Sequence, residues 1–158
     1  MTEMDHRFLM RAIELARRGA NAGDGGPFGA VIVRQGEVLA EDWNRVVANK
    51  DPTAHAEIGA IRQACSRTGH YHLPGCTLYA SSEPCPMCLS AAYWARIERI
   101  VFANSRSEAA AIGFCDDELY CELGRHFSAR SIVMEHHPLP EALDPLRCWA
   151  ANPQRTTY

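Results

Sequence analysis

The sequence predicts an α/β protein in three layers, α/β/α, with helices on both faces of a mixed sheet of about five strands. One observation is the alternation, along 158 residues, of segments with helical periodicity and short apolar runs rich in β-branched residues. Another is that only the tight turn Gln35-Gly36 separates the first two apolar runs, which predicts an antiparallel hairpin. Helical segments separate the later runs, and helices that connect strands pack against the faces of the sheet.

The N-terminal half contains the clearest of these elements. Apolar residues recur at intervals of three and four between residues 5 and 20, as in an amphipathic helix. Residues 28–33 form a continuous apolar run, which predicts a central strand buried on both faces, and residues 38–43 return as its hairpin partner. Residues 44–51 are polar and are predicted to be a loop. Asp51-Pro52-Thr53 then predicts a helix start, with the aspartate or the threonine as its cap.

The rest of the chain continues the alternation, although the pattern weakens after residue 103. We predict, in chain order, the end of that helix near Gly69, a strand over residues 77–81, a helix over 84–96, a strand over 100–103, helices over 108–112 and 117–123, a strand over 131–135 and a last helix over 141–151. No internal repeat, low-complexity tract or linker interrupts this order. Residues 1–158 are therefore expected to form a single domain.

The composition is typical of a soluble globular protein. Hydrophobic residues make up 47% of the chain and charged residues 22%, which argues against disorder, collagen-like repeats and a membrane span. The net charge of −3 provides no basic surplus, whereas proteins that hold nucleic acid through its phosphates usually carry one. Nucleic acid and membrane are therefore not expected as partners.

The cysteines and the N-terminus bear on the cellular compartment. Seven cysteines occur without regular spacing, and the first residues are charged and lack the apolar stretch of a signal peptide. Both features favour the reducing cytoplasm. In that compartment a Cys-x-x-Cys pair is more often a metal or redox site than a disulfide.

Two short motifs lie at predicted helix starts: His55-Ala56-Glu57 and Pro84-Cys85-Pro86-Met87-Cys88. Each follows a strand and a loop, so both helix N-termini can converge at one end of the sheet. Cys85 and Cys88 are three residues apart, which places both thiols on one helix face, at the end where the helix dipole favours thiolates. His55 and Glu57 lie ~200° apart around a helix, which suits one ligand and one general acid/base better than two ligands.

The donor types in these motifs favour zinc. Two cysteines and one histidine form a nitrogen-and-sulfur set that selects this metal. A structural zinc takes four protein ligands and the sequence offers no obvious fourth, whereas three leave a position for a water molecule, which zinc acidifies towards neutral pH. Alone, Cys85-x-x-Cys88 is also consistent with a redox pair or with half of a zinc ribbon. In combination, His-x-Glu followed by Pro-Cys-x-x-Cys is the signature of zinc-dependent nucleobase deaminases.

Three segments extend the resemblance beyond this signature. Residues 26–33, 51–58 and 83–97 are similar to the small bacterial guanine deaminases of the cytidine deaminase superfamily, and the similarity covers nearly the whole chain. The core signature is shared with tRNA adenosine deaminases and with fungal cytosine deaminase. It therefore indicates the mechanism more strongly than the substrate.

Three further features favour guanine within this superfamily. Phe28 after Pro27 and Tyr93-Trp94 after the second cysteine both resemble the guanine deaminase pattern. Residues 113–117, together with a chain that ends in tyrosine, resemble the substrate-closing segments of that family. One departure is Cys115, which stands where a polar or acidic residue is expected.

The resemblance implies a cytidine deaminase-like fold, one zinc ion per subunit and the hydrolytic deamination of guanine to xanthine and ammonia. His55, Cys85 and Cys88 would hold the zinc ion. Glu57 would move protons from the attacking water to ring nitrogen N3, while C2 is attacked and the 2-amino group leaves.

The resemblance also implies contacts to the base. Asn44 and the backbone of Ala56 would hydrogen-bond the purine edge, and Phe28 and Trp94 would line the base or stack against it. Taken alone, Phe28 equally suits a buried strand and Trp94 equally suits ordinary packing.

The C-terminal part would complete the site. Asp116 would receive the exocyclic amine and assist proton transfer, although an aspartate at this position equally suits a helix cap. Tyr158 would close the pocket. In this family the C-terminal segment, here residues 138–158, can be exchanged between two subunits, so we expect a homodimer in which Tyr158 serves the partner's site.

Several alternatives remain open from the sequence. A tRNA adenosine deaminase would share the chemistry but needs a basic surface, and residues 138–158 provide no basic arm. A non-enzymatic zinc module would need a fourth protein ligand, for which Cys115 is the first candidate. A deaminase that recognises an amino-pyrimidine edge could also accept amino-triazines or other purines.

Overall fold

The computed structural model describes residues 1–158, which divide into two compact regions, Met1–Asp117 and Glu118–Tyr158. The first region contains α1 (Glu3–Ala22), β1 (Gly29–Arg34), β2 (Glu37–Trp43), α2 (Val46–Asn49), α3 (Ala56–Thr68), β3 (Cys76–Ser82), α4 (Pro86–Trp94), β4 (Arg99–Asn104), α5 (Arg106–Ala110) and the start of α6 (Asp116–Gly124). The second contains the rest of α6, two 3₁₀ turns (Phe127–Ala129 and Pro140–Ala142) and α7 (Leu143–Ala151).

The sheet of the first region has four strands in the order β2-β1-β3-β4. β1 pairs antiparallel with both β2 and β3, and β3 pairs parallel with β4. The two edge strands are connected to the sheet in different ways. β2 follows β1 through the hairpin turn, whereas β4 follows β3 through α4. The predicted α/β class and the mixed sheet are confirmed, with four strands instead of about five.

Helices cover both faces of this sheet. On one face, Val31, Val33 and Tyr79 pack with the apolar side of α1. On the other face, Ile32 and Leu78 pack with small residues of α3 and with the end of α4, such as Ala56, Ala60, Ala64, Ala92 and Ala95. Successive residues of β1 thus alternate between the two layers, as a strand buried on both sides requires. The predicted three-layer arrangement therefore describes the first region.

The N-terminus of α1 is fixed to the sheet by polar contacts. Thr2 and Asp5 form a reciprocal capping box, with the Asp5 N–H donating to Thr2 Oγ1 at 3.0 Å. Arg99 Nη1 and Nη2 donate to the two Asp5 carboxylate oxygens at 2.7 and 3.0 Å, and the Tyr79 hydroxyl donates to Asp5 Oδ1 at 2.9 Å. The Arg99 guanidinium, with help from the Thr2 N–H, holds the pKa of the Asp5 carboxyl well below its usual range. Asp5 is thus a buried carboxylate with all its partners in place.

Two local predictions need correction at the approach to α3. The helix begins at Ala56 and not at residues 51–53, because the Asp51 carboxylate accepts bonds from the backbone and hydroxyl of Thr53 in a turn of its own. The segment predicted as a loop contains the single turn α2, in which the N–H groups of Val47 and Ala48 donate to the carbonyl of Asp24. The predicted end of α3 at Gly69 is confirmed, with this glycine in the left-handed conformation at φ 69°.

The predicted strand over residues 131–135 does not form. In its place the Ser131 N–H and hydroxyl donate to Glu122 Oε2 at 2.7 and 3.0 Å, and the side chains of Ile132 and Val133 are exposed. β-branched residues favour a strand only where another strand offers a backbone to pair with. The fifth strand was therefore predicted from a local preference that finds no pairing partner within the chain.

The remaining predicted helices and strands form, with ends that differ by a few residues. None of the helices combines the length and the apolar character that a membrane span requires.

Candidate metal centre and active site

The N-termini of α3 and α4 bring the two sequence motifs together. His55 is the residue directly before α3, and Cys85 is the residue directly before α4, each with an extended backbone. Pro86 occupies the first position of α4, where its missing N–H costs no hydrogen bond, and Cys88 follows in the same turn. Both helices pack on the same face of the sheet, so their first turns lie side by side.

The three donor atoms of these residues form a compact triangle. Cys85 Sγ and Cys88 Sγ lie 3.6 and 3.5 Å from His55 Nδ1, and all three donor atoms lie within 4.8 Å of one another. Zinc binds nitrogen at about 2.1 Å and sulfur at about 2.3 Å, so tetrahedral ligands of the two types lie ~3.6 Å apart. The residues therefore fit a zinc ion in both donor type and spacing.

No fourth protein donor joins this group. Cys115, the first candidate for a fourth ligand, is exposed and does not belong to the cluster. Cys85 and Cys88 are free thiols and not a disulfide, so the redox alternative also gains no support. A tetrahedral ion held by three protein ligands keeps one position for water or substrate, as in catalytic zinc sites.

The protonation of the ligands follows from their contacts. A hydrogen bond from Cys88 and a further contact with His55 lower the pKa of Cys85 to about 4, although burial opposes this shift. The pKa of Cys88 is raised, first because its thiol is the donor to Cys85 and second because it is buried. The hydrogen bond to Cys85 raises the pKa of His55. Cys85 is therefore the more acidic of the two thiols, and metal binding displaces the protons that its ligands carry.

Glu57 is the second residue of α3 and is 7% exposed. Burial raises the pKa of its carboxyl above the usual range. Its side chain lines the same cavity as His55 and Cys85. A buried carboxyl beside the metal ligands can exchange protons with a group in that cavity, which is the general acid/base role predicted from the motif.

A cavity of about 310 Å³ opens beside the metal group. This volume is at the small end of the range for ligand pockets and suits a small ring system. Its wall combines apolar side chains with a few polar ones, and consists of Gly26, Phe28, Asn44, Val46, Val47, Pro52, His55, Glu57, Glu83, Cys85, Phe114 and Asp116.

Asn44 contributes a side-chain amide to the cavity wall, and two hydrogen bonds fix the oxygen of this amide. Asn44 Oδ1 accepts hydrogen bonds from the N–H groups of Gly26 and Val46, both at 3.2 Å. Since both partners are donors, the oxygen is identified and the NH₂ group is left to face the cavity. The loop must pass very close to this amide, because a Cβ added at Gly25 would lie 2.1 Å from Asn44 Oδ1.

The neighbours of Asn44 in the chain are fixed from outside the cavity. The Trp43 indole N–H donates to Asp24 Oδ2 at 2.7 Å. The Arg45 guanidinium stacks 3.9 Å from the Trp43 ring and donates to Asp42 Oδ1 at 2.9 Å. Four residues around Asn44 thus limit its movement.

Two aromatic rings form the apolar part of the wall. Phe28 and Phe114 meet edge to face, with 4.7 Å between ring centroids and 84° between planes. Phe114 lies two residues before Asp116, the first residue of α6, whose carboxyl also lines the cavity. Burial and the negative charge of Cys85 raise the pKa of Asp116.

The structure brings most of the predicted site residues together. His55, Cys85 and Cys88 form the metal group, and Phe28, Asn44, Glu57 and Asp116 line the cavity. Three other predicted residues are not among those that line the cavity. Ala56 is buried as the first residue of α3, Trp94 ends α4 and is 67% exposed, and Tyr158 is 73% exposed at the end of the second region.

The cavity wall also includes Glu83 and the apolar residues Val46, Val47 and Pro52, which no motif in the sequence marks as site residues. Glu83 directly precedes Pro84-Cys85 in the sequence, and this position could have identified it as a residue near the metal ligands. Val46 and Val47 lie in α2, a helical turn that was not predicted because residues 44–51 were interpreted as a polar loop.

Comparisons with known proteins agree with this geometry. Residues 2–104 match the family described as the cytidine and deoxycytidylate deaminase zinc-binding region. The chain is 49% identical to a guanine deaminase of Bacillus subtilis over 98% of this chain and 100% of that protein. The X-ray structure of guanine deaminase from Bacillus subtilis superposes with a TM-score of 0.95, at 46% identity, over 100% of this chain and 99% of that one.

A second group of relatives acts on RNA. A tRNA-specific adenosine deaminase of Aquifex aeolicus is 45% identical over 88% of this chain and 89% of that protein. This chain carries the signature of zinc-dependent nucleobase deaminases in His55, Glu57, Cys85 and Cys88. The chain belongs to the cytidine and deoxycytidylate deaminase family of zinc-dependent hydrolytic enzymes.

Proposed function

We propose that this protein is a guanine deaminase, which hydrolyses guanine to xanthine and ammonia. The observation that carries the proposal is one cavity in which Glu57 and two of the metal ligands, His55 and Cys85, share a wall with Asn44 and Phe28. Such a cavity offers a place for a flat base beside a hydrolytic centre. The similarity to the Bacillus subtilis guanine deaminase along almost the entire chain favours guanine.

His55, Cys85 and Cys88 would hold the zinc ion, which would act as a Lewis acid and lower the pKa of water towards neutral. The proton transfers belong to the protein. The Glu57 carboxylate takes a proton from the attacking water and delivers it to N3 of guanine while oxygen adds to C2. Glu57 then passes the second proton of that water to the 2-amino group, the C2–N bond breaks and ammonia leaves. The atoms balance as guanine plus water giving xanthine plus ammonia.

The other wall residues hold the base for this reaction. The Asn44 NH₂ group donates to an acceptor on the purine edge, and the N–H of Ala56 at the open end of α3 is a second donor. Phe28 packs against the ring, with Phe114 supporting it from the side. Asp116 accepts from the exocyclic amine and assists its departure. Trp94 and Tyr158 are proposed to complete the enclosure.

A homodimer is part of this proposal. In it, residues 1–158 act as a single deaminase domain, and residues 138–158 are exchanged so that Tyr158 closes the partner's site. Exposed apolar side chains in the second region support a covering surface from another copy, among them Ile132, Val133, Leu139 and Leu146. β4 lies at an edge of the sheet with one side unpaired, which also favours association.

Mixing two inactive variants tests the exchange. Tyr158→Ala retains Glu57, and Glu57→Gln retains Tyr158, so a mixed dimer regains one intact site if the segments are exchanged. Random mixing then restores about a quarter of wild-type turnover, because half of the dimers are mixed and each has one good site. Activity that stays at the mean of the two variants would contradict the exchange.

The reducing cytoplasm is the proposed location. All seven cysteines are free, and two of them must remain thiols to bind the metal. Oxidising compartments favour disulfides between such residues.

A tRNA adenosine deaminase is the second candidate, favoured by the similarity to the Aquifex aeolicus enzyme. It requires a surface that binds phosphates, whereas the chain carries a net charge of −3. A salt series would reveal such binding, because affinity for the RNA backbone falls steeply as salt rises.

An ammonia-release panel over guanine, adenine, cytosine, their nucleosides, amino-triazines and tRNA tests the substrate. We expect guanine to be turned over fastest, and the amino-triazine samples show how far recognition depends on the second ring. A protein with one zinc per subunit that deaminates adenosine in tRNA and leaves guanine unchanged would contradict the proposal.

A further inference from the structure

Three carboxyl groups line the candidate cavity: those of Glu57, Glu83 and Asp116. Glu57 and Asp116 have roles in the proposed reaction, whereas Glu83 has none. Like charges that share a partly buried cavity repel each other more strongly than in water. A cation that pairs with one of these carboxylates therefore reduces the repulsion that the other two experience and affects their positions.

Arg106, the first residue of α5, provides this cation. Its backbone N–H donates to Glu83 Oε2 at 3.1 Å, and its Nε lies 2.8 Å from Glu83 Oε1. Its Nη1 lies 3.2 Å from Oδ1 of Asp117, the residue that follows Asp116. One guanidinium thus joins the end of β3, two residues before Cys85, to the first turn of α6.

The segment that carries Asp116 is held at its start by other contacts. The N–H groups of Gly113 and Phe114 donate to the carbonyls of Ala110 and Ala109 at 3.0 and 3.1 Å, and the Phe114 ring packs on Phe28. Gly113 has φ 99°, a conformation that glycine adopts readily. These contacts end two residues before Asp116, whereas the Arg106–Asp117 pair acts directly beside it.

We propose that Arg106 is a positioning residue for Asp116. By bridging Glu83 and Asp117, it fixes the Asp116 carboxylate in the cavity wall. The guanidinium suits this task because its planar fork reaches two carboxylates at once, whereas a lysine ammonium is a single point charge. The part that Asp116 plays in turnover rests on the proposed function, but the bridge does not.

Replacing Arg106 tests the inference by activity. Arg106→Gln is expected to lower kcat/KM for guanine by roughly 10- to 100-fold, since a misplacement of about 1 Å at a reacting group has effects of this size. Arg106→Lys is expected to recover only part of that loss. Arg17→Gln is the matched control, because it removes an exposed ion pair with Glu14 on α1 and should stay within about twofold of wild type. Arg106→Gln at wild-type kcat/KM would overturn the proposal.

A double variant separates positioning from a general structural role. If Arg106 acts through Asp116, then adding Arg106→Gln to the Asp116→Asn variant should lower kcat/KM by less than about threefold. The effects of substitutions at two coupled residues are not additive. The same 10- to 100-fold loss in both backgrounds would overturn the proposal.

Amide hydrogen exchange provides a readout that needs no turnover. In Arg106→Gln we expect faster exchange at residues 113–118 and unchanged exchange in α1 and the sheet, relative to wild type and to Arg17→Gln. Unchanged exchange at residues 113–118 would overturn the proposal. Failure of the wild-type protein to release ammonia from guanine would contradict the proposed function instead, and the exchange measurement would then decide on the bridge alone.

Discussion

The two regions of the chain differ in how much of their own apolar surface they bury. Met1–Asp117 contains every buried residue, including Ile32 at 0% exposure, whereas no residue of Glu118–Tyr158 is buried and Ile132 is 76% exposed. The first region also holds the whole metal group and the whole cavity wall. The residues of the candidate site and the buried core thus lie in one region, whereas the other region leaves apolar side chains such as Ile132 exposed.

Glu57→Gln should have the largest effect and tests where the chemistry lies. The amide keeps the size of the side chain but cannot take up a proton, so turnover of guanine should fall by about 10²- to 10⁴-fold with zinc retained. The matched control is Glu122→Gln in the second region, where the carboxylate only accepts from Ser131 and pairs with Arg125. Near-normal rates in a zinc-loaded Glu57→Gln protein would refute the assigned role.

Cys85→Ser should remove metal and stability together. The ligands belong to two separate helices, so zinc bound to the folded chain stabilises it by about 3 to 4 kcal/mol when free zinc exceeds Kd by 10²- to 10³-fold. We expect loss of zinc in metal analysis, loss of turnover and a lower melting temperature, and a chelator should reproduce all three in the wild type. Cys148→Ser, an exposed thiol in the second region, should change none of them. A full zinc complement in Cys85→Ser would show that the ligand set is wrong.

Ile32→Ala and Ile132→Ala compare the two regions directly. Truncating the fully buried Ile32 should lower the free energy of unfolding by about 2–5 kcal/mol through lost burial and a cavity. The same change at the exposed Ile132 should stay within about 0.5 kcal/mol for the isolated chain. Urea denaturation at several protein concentrations measures both. A concentration-dependent loss at Ile132 would show that a second copy covers this region, and no loss at Ile32 would contradict the described core.

Asp5→Asn should give a smaller effect with a defined pH dependence. Arg99 lowers the pKa of Asp5 in the folded state, so the carboxylate stabilises the fold above its unfolded pKa of about 3.9. That contribution is lost as the pH falls below this value towards the folded pKa. The difference in denaturation midpoint between wild type and Asp5→Asn should therefore be greatest near neutral pH and shrink steadily below pH ~4. A difference that does not change with pH would mean that the ion pair is not its source.

The sequence was sufficient to predict secondary structure elements from a clear hydrophobic pattern and metal ligands from residue type and spacing. The continuous apolar run of residues 28–33 and the helical spacing of α1 predict elements that depend on burial, and the first region supplies that burial. His55, Glu57, Cys85 and Cys88 could be identified because metal chemistry restricts both residue type and spacing. In contrast, the strand over residues 131–135 depends on a pairing partner that a local pattern does not reveal.

Contacts between distant segments were also beyond the sequence. The bridge from Arg106 to Glu83 joins residues 23 positions apart, and no periodicity marks it. The start of α3 was misplaced because Asp51 bonds to Thr53 in a turn and does not cap the helix. Both cases involve polar side chains with several possible partners, between which only the folded chain decides.

The most direct test of the central claim measures the amounts of xanthine and ammonia formed as a function of the zinc bound per subunit. Guanine is supplied to protein loaded with increasing zinc, and xanthine and ammonia are quantified at each loading. We predict one ammonia per xanthine, with a rate that rises in proportion to bound zinc and levels off at one ion per subunit. Protein that holds one zinc per subunit and forms no xanthine from guanine would contradict the account.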